Sequence, residues 1–381
     1  MKSEVKTPNV VSHLDRHKII NLGSFYTPEK FVDMAYDWLV DIGINDDYVI
    51  LDSSCGYGAF FNTKGKLANN RFIGNDIDED AIQKMKSIFP NVETYCKNSL
   101  ANVSRKEFGI NDDDKLVVVG NPPYNDTTSQ IGQKEKKDKI EFDPDIKSRD
   151  LGISSLLTYN KLKADYCVIL HPLSYLIKKA NFRACSKFFG NYTLENHIVF
   201  SSAEFANTSK MNGFPIIMGL YKRSHGQGLK FEDVKDIDFK TVEDNTFRIS
   251  KRDYIADYVS KYPTHSKRYN PEILFYTLRD INALKRSRTF IQERIANAVD
   301  VDPDKLDYYC YIDCFKKYAT IPYYLGNFDI PFTKDDFADY SDLFTRVSKA
   351  NHPEIFSDST EISDSDISSV KAYIDKAVSF D

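Results

Sequence analysis

The sequence predicts an α/β fold: a doubly wound, mainly parallel sheet followed by a second domain of different character. Three observations lead there. Short apolar runs alternate with helical patterns from Pro28 through Tyr124, as in an open sheet wound by crossover helices. The first of these runs enters a Gly-x-Gly turn. A later one, Leu116-Val117-Val118-Val119-Gly120, delivers the rigid tetrapeptide Asn121-Pro122-Pro123-Tyr124 to its carboxyl end, where open parallel sheets bind their ligands.

Residues 1–18 are polar. Phe31, Ala35, Trp38 and Leu39 then recur at helical spacing behind Thr27 as N-cap, Pro28 at N1 and Glu29 in the electropositive first turn. The first strand, Val49 to Leu51, ends in Asp52 and is followed by Gly56-x-Gly58, glycines that let the backbone turn tightly and approach a ligand. Phe61 stands where the third glycine of a dinucleotide fingerprint belongs. A second strand, Arg71 to Asn75, ends in Asp76-Ile77-Asp78, and a carboxylate there suits a ribose diol because it accepts two hydrogen bonds at once. Without a complete phosphate-binding pattern, a nucleoside fits better than a dinucleotide. The third strand, Val92 to Tyr95, leads to Asn98.

At the tetrapeptide, two prolines remove two backbone donors and leave their carbonyls free to accept. Beside them stand one amide and one aromatic ring, a set suited to gripping a planar amine. An ordinary proline-rich turn is the plainer alternative. Polar, lysine-rich residues 125–148 follow without periodicity and read as a long mobile loop, either disordered or a lid that orders only on closing over its substrate. Tyr166–Pro172, Asn196–Phe200 and Ile216–Tyr221 continue the strands, with a helix over Phe182–Phe189 between the first two. The charged, glycine-containing stretch from Lys222 to Gly228 places the domain boundary at 222/223, giving domains 1–222 and 223–381. A helical pattern covers Pro271 to Val299. Phe356 to Ser369 reads as a Ser/Asp-rich spacer, and Ile367, Val370, Ile374 and Val378 line one face of a terminal helix.

Net charge is −5, which argues against indiscriminate coating of nucleic acid. The average hides an asymmetry: from Asn245 to Phe290 basic residues outnumber acidic ones by ten to four, with Tyr254, Tyr258, Tyr262 and Tyr269 interleaved. That mixture suits phosphate and sugar contacts, with Arg248, Lys251, Arg252, Lys267, Arg268, Lys285, Arg286 and Arg288 as candidates. A solvated helix face is the plainer reading of any single cluster. The six cysteines are scattered and the histidines show no ligand spacing, so no metal site is expected. No long apolar stretch or apolar leader appears, which predicts a soluble, intracellular, cytoplasmic protein with no membrane partner.

In order, Gly23-Ser24-Phe25-Tyr26-Thr27-Pro28, Asp52-x-x-x-Gly56-x-Gly58, Asp76 and Asn121-Pro122-Pro123-Tyr124 resemble the S-adenosylmethionine-dependent amino-methyltransferases of DNA. The likeness is to the adenine-N6 group and spans residues 19–223. It implies a class I, Rossmann-like methyltransferase domain with a C-terminal target-recognition domain, bacterial or phage in origin. It also implies S-adenosyl-L-methionine as cofactor and double-stranded DNA as partner, and leaves a companion restriction endonuclease open. By this resemblance Tyr26, Thr27, Asp52, Gly56, Gly58, Asp76, Ile77, Asn98 and Asn121 bind the cofactor. Asn121 and Pro122 accept the two hydrogens of a flipped adenine's amine, and Pro123 and Tyr124 complete the catalytic corner. Tyr124 stacks on the base, with Tyr221, or alternatively Phe214, on its other face. Two positions depart from the pattern: Ser53-Ser54 replaces a usual proline, and Asn98 replaces an aspartate. Methylation of cytosine N4, of an RNA base amine or of a protein glutamine, and a catalytically silent DNA-binding subunit, are the alternatives.

Overall fold

Seven strands form one sheet in the order β3-β2-β1-β4-β5-β7-β6 in a computed structural model that describes residues 27–124, 141–205, 213–263, 273–358 and 360–379. They are β1 (Tyr48–Asp52), β2 (Arg71–Asp76), β3 (Glu93–Cys96), β4 (Lys115–Gly120), β5 (Tyr166–Pro172), β6 (Tyr192–Ser201) and β7 (Pro215–Arg223). The first five pair in parallel, while β7 runs antiparallel to both β5 and β6. Strand order reverses between β1 and β4, the switch point where ligands of open α/β sheets bind. This is the doubly wound, mainly parallel α/β sheet that the sequence predicts, Rossmann-like with one antiparallel strand.

Residues Leu116 to Gly120 of β4 are all buried, as expected for a central parallel strand covered on both faces. Helix α1 (Glu29–Asp41) buries Phe31, Val32, Ala35, Tyr36 and Leu39, and its Phe31 ring stacks on Phe200 of β6 at 3.8 Å. Tyr36 donates to the Phe60 carbonyl at 2.7 Å, tying this helix to the Gly-x-Gly turn. Helix α2 (Glu79–Ile88) starts on Asp78, whose side chain accepts from Asp80 and Ala81. Helix α3 (Leu151–Lys161) starts in the same way on Asp150.

The chain divides into two compact units, 1–234 with 240–243, and 235–239 with 244–381. The division therefore falls later than the charged stretch at 222–228, because Leu229 still donates to the Tyr192 carbonyl and Val242 returns to Val199. In the second unit, Ile273 to Val299 is not one helix. It forms strand β8 (Leu274–Tyr276) between the strands Phe290–Ile291 and Ala298–Asp300, with only Ile281–Arg286 helical within this stretch. Asp280 starts that helix by accepting from Ala283, whereas Leu274 and Phe275 find cross-strand partners in Ile291 and Phe290. Tertiary pairing overrides the helical spacing here. The other main elements are helices Leu306–Tyr318, Lys334–Asn351 and Asp364–Val378.

Smaller corrections concern helix ends. The predicted helix over 182–189 breaks at Cys185 into Lys179–Ala184 and Ser186–Phe189. The spacer over 356–369 ends early, because Ser363 and Asp366 form a capping box that begins the terminal helix. Helix α1 begins at Glu29, so Pro28 holds the N-cap position and Thr27 makes no cap bond. All six cysteines are free thiols; five are buried and Cys96 is exposed. No helix among the described residues is long and apolar enough to cross a membrane.

Candidate active site

The carboxyl ends of β1, β2 and β4 bring the sequence candidates together. After β1 the chain turns through Gly56 (φ +50°) and Gly58 (φ +81°), in the left-handed region that favours glycine. A side chain at Gly56 would meet nothing within 4 Å, so the turn is open on that side. One at Gly58 would sit 2.6 Å from Met85 Cγ, so this glycine serves packing. Asp76, at the end of β2, accepts the Gly56 N–H at 2.8 Å and the Asp78 N–H at 3.0 Å. Burial raises its pKa, partly offset by those two donors. One carboxylate thus braces the glycine turn and the start of α2 while keeping lone pairs for a ligand. Next to it, Ile77 is 61 % exposed, an apolar side chain on the rim.

Asp52 ends β1 in the interior, 3 % exposed, and accepts the Ser54 N–H at 3.1 Å. Burial lifts its pKa to about 8. A Cβ at Gly120 would lie 3.0 Å from Asp52 Oδ1, so the absence of a side chain there lets β4 close on the first strand. Asn121 follows directly. Its Nδ2 donates to the Thr27 hydroxyl at 3.3 Å, while its Oδ1 is buried and has no hydrogen-bond partner among the described residues. Thr27, 3 % exposed, therefore orients the Asn121 amide rather than capping a helix. A buried amide oxygen without a donor is costly, and its presence at a strand end marks an acceptor waiting for a ligand N–H.

The flanking rings complete the corner. Tyr124 packs edge-on against Phe214, centroids 6.5 Å apart at 86°. Phe214 is held by Ser202, whose hydroxyl accepts the Phe214 N–H at 3.0 Å and whose N–H donates to the Phe214 carbonyl.

Residues 10–183 match the family model described as N-6 DNA Methylase. Over these residues, which lie within the first unit, the chain is similar to the N-6 DNA methylase family. The chain is also similar to the modification subunit of a putative type I restriction enzyme from Vibrio vulnificus YJ016, at 16 % identity over 60 % of this chain and 49 % of that one, with a TM-score of 0.43. A type I restriction-modification methyltransferase subunit from Streptococcus thermophilus gives 16 % identity over 52 % and 45 %, with a TM-score of 0.38. For a putative RNA methyltransferase from Pyrococcus horikoshii the values are 14 % over 58 % and 92 %, with a TM-score of 0.35. The chain spans about half the length of the two restriction-system subunits. No curated protein matches significantly.

Within the first unit the structure revises one candidate outright. Tyr221 cannot stack on a substrate base. It is 0 % exposed, its hydroxyl bonds His171 Nε2 at 2.6 Å, and Phe188 and Phe189 pack around its ring. The reason is strand direction: β7 runs antiparallel, so its beginning lies at the carboxyl edge of the parallel strands and its end lies far from it. Phe214, just before β7, is the aromatic residue beside Tyr124.

Asn98 is committed to a turn, with Oδ1 accepting from Leu100 at 3.0 Å and Nδ2 donating to the Glu141 carbonyl at 2.8 Å. Tyr26, Lys267 and Arg268, and positions 125–140 of the expected lid, lie outside the described residues. The described end of that lid is anchored: Asp143 accepts the N–H groups of Asn102 and Val103 and pairs with Lys161.

Sequence reasoning missed Asn75. Fully buried at the end of β2, it donates to the carbonyls of Ser53 and Lys97 and accepts the Lys97 N–H, all at 3.0 Å. It pins the turns after β1 and β3 to each other. The available signal was an amide in an otherwise apolar strand, where a polar side chain must be hydrogen-bonded.

Proposed function

We propose that this protein is a site-specific DNA methyltransferase that moves a methyl group from S-adenosylmethionine to the N6 amine of an adenine flipped out of the duplex. The observation that carries the reading is the buried Asn121 Oδ1, which has no hydrogen-bond partner among the described residues and is held as an acceptor by Thr27 at the end of β4. The residues present fit the cofactor. Asp52 and Asp76 are buried carboxyls without a cation beside them among the described residues, suited to a ligand that carries positive charge. The open side of Gly56 and the exposed Ile77 leave room and an apolar surface for a nucleoside. Thr27, Asp52, Gly56, Gly58, Asp76 and Ile77 would hold it, with Asn98 contributing through whatever lone pair its turn leaves.

An adenine amine is a weak nucleophile because its lone pair is delocalised into the ring. Asn121 Oδ1 and the Pro122 carbonyl accept its two N–H bonds, drawing the nitrogen towards tetrahedral geometry and stabilising the positive charge that develops on it. When bound, the cofactor supplies a sulfonium methyl: its S–C bond breaks as the N–C bond forms, leaving a thioether. The amine then loses a proton to water, so no side-chain general base is required before attack. Tyr124 and Phe214 offer ring faces to the extruded base, each worth about 1–3 kcal/mol in stacking.

Asn121→Ala is expected to abolish tritiated methyl transfer to unmethylated bacterial DNA while leaving S-adenosylhomocysteine affinity within about twofold, because the lost acceptor acts mainly in the transition state. Near-normal turnover by that variant refutes the assignment. Label on RNA or protein in place of DNA, from the parent enzyme, would move the substrate class. The same assay on a silent subunit would give no label at all.

A further inference from the structure

We propose that Gly152, together with the Asp150–Tyr175 pair, positions the Tyr124 ring; the inference rests on the function proposed above and names positioning residues for the same site. Asp150 caps α3 through Oδ1, which accepts the N–H of Gly152 at 2.9 Å and of Ile153 at 3.4 Å. The Tyr175 hydroxyl donates to that same oxygen. Tyr175 is itself immobilised: 1 % exposed, its ring lies flat on His171 at 5.4 Å and 8°. Burial and the Asp150 carboxylate both push its pKa up, so the hydroxyl stays a donor.

Against this fixed group lies the first turn of α3. A methyl at Gly152 would stand 2.5 Å from the Tyr175 hydroxyl oxygen, 3.0 Å from Tyr124 Cβ and 3.3 Å from Asp150 Oδ1. None of the three yields easily. The hydroxyl is locked on the helix cap, and Cβ of Tyr124 is one bond from a backbone stiffened by two prolines. Glycine costs a helix roughly 0.5–1 kcal/mol relative to alanine. Its φ here is unexceptional, so conformational freedom does not explain it; the close approach of the Tyr175 hydroxyl and of Tyr124 Cβ does. Tyr124 is therefore seated on a bare helical turn whose height is set by the Asp150–Tyr175 tie.

The test uses the full chain, with 3-fluorotyrosine placed at position 124, and reads both methyl transfer and the ¹⁹F resonance. Gly152→Ala should lower kcat on DNA about tenfold or more, since a displacement near 1 Å at a reacting centre costs up to about a hundredfold. S-adenosylhomocysteine affinity should stay within about twofold of the parent, the cofactor side being untouched. Tyr175→Phe keeps the ring and loses the tie, and should lower kcat several-fold with KM for the cofactor unchanged. Combining it with Gly152→Ala should restore part of the activity, because the hydroxyl that the new methyl strikes is gone. The ¹⁹F resonance should shift in each single variant. Unchanged kcat together with an unmoved resonance in Tyr175→Phe overturns the proposal, even if Gly152→Ala does not fold. The resonance needs no methyl transfer, so a parent enzyme inactive on DNA would sink the proposed function and still leave the positioning to be judged.

Discussion

Asp52 is the residue at which the site's chemistry and the protein's stability meet. In an unfolded chain its carboxyl ionises near pH 4, whereas in the folded protein burial holds the proton on until about pH 8. The folded state therefore binds more protons than the unfolded state between those values. Its contribution is fully present below about pH 4, is lost as pH rises, and is gone above about pH 8. Asn at this position has nothing to ionise and can still accept the Ser54 N–H. Urea denaturation should therefore show Asp52→Asn more stable than the parent at pH 8, with a shallower decline from pH 5 to 8. Equal slopes for the two proteins would mean that Asp52 titrates normally. Thr27 shows the limit of local reading at this scale. As a residue before proline and a helix it looks like a cap, but its hydroxyl is taken by Asn121, 94 positions away.

At the scale of elements, buried polar ties matter as much as apolar faces. Asn75 joins the ends of β1 and β3, and Asp313 does the same work in the second unit. Asp313 sits in helix Leu306–Tyr318, 5 % exposed. It accepts from Thr289 at 2.6 Å, His352 at 2.9 Å and Ser348 at 3.0 Å, so one carboxylate ties this helix to the strand region and to the helix Lys334–Asn351. Burial alone would raise its pKa; the hydrogen bonds from His352 and Thr289 outweigh that and hold it low. His352 is raised in turn, chiefly by its bond to Asp313. Asp313→Ala strands two hydroxyls and an imidazole at once and should destabilise the second unit by about 2–4 kcal/mol in a denaturant titration. A loss below about 1 kcal/mol would show that these partners find water instead.

Over the whole molecule, charge is distributed in a way that a residue count conceals. Arg248 was a candidate phosphate contact, but it grips Asp238 through two nitrogens, at 2.8 and 2.5 Å. Lys261 and Arg294 are likewise paired, with Asp329 and Asp300. Arg279, Lys285, Arg286 and Arg288, around the helix Ile281–Arg286, are exposed and form no ion pair among the described residues. Partial desolvation even lowers the Lys285 pKa, a cost that an anion would offset. If the second unit grips DNA, these are its available cations. Replacing Arg286 and Arg288 by Ala should reduce the slope of log affinity against log salt by about 2, one unit per lost phosphate contact. Arg248→Ala should leave that slope unchanged. The opposite ranking in a salt titration would return the DNA contact to the 248–252 segment.

The sequence by itself determined the sheet, the glycine turn, the acidic strand ends and the Asn-Pro-Pro-Tyr corner. These depend on local rules, namely apolar runs between turn signals and residues with restricted or unusual backbone angles, and local rules are written in neighbouring residues. Tertiary structure decided the rest. The direction of β7 buried Tyr221 and set Phe214 beside Tyr124, strand pairing turned a helical spacing into β8 and its neighbours, and ion pairing withdrew Arg248 from the candidate surface. So did the contacts of Thr27, Asn75 and Gly152, each of which acquires its role from a partner distant in sequence. A side chain's identity fixes what it can bond. Only the folded chain fixes which partner comes within 3 Å of it.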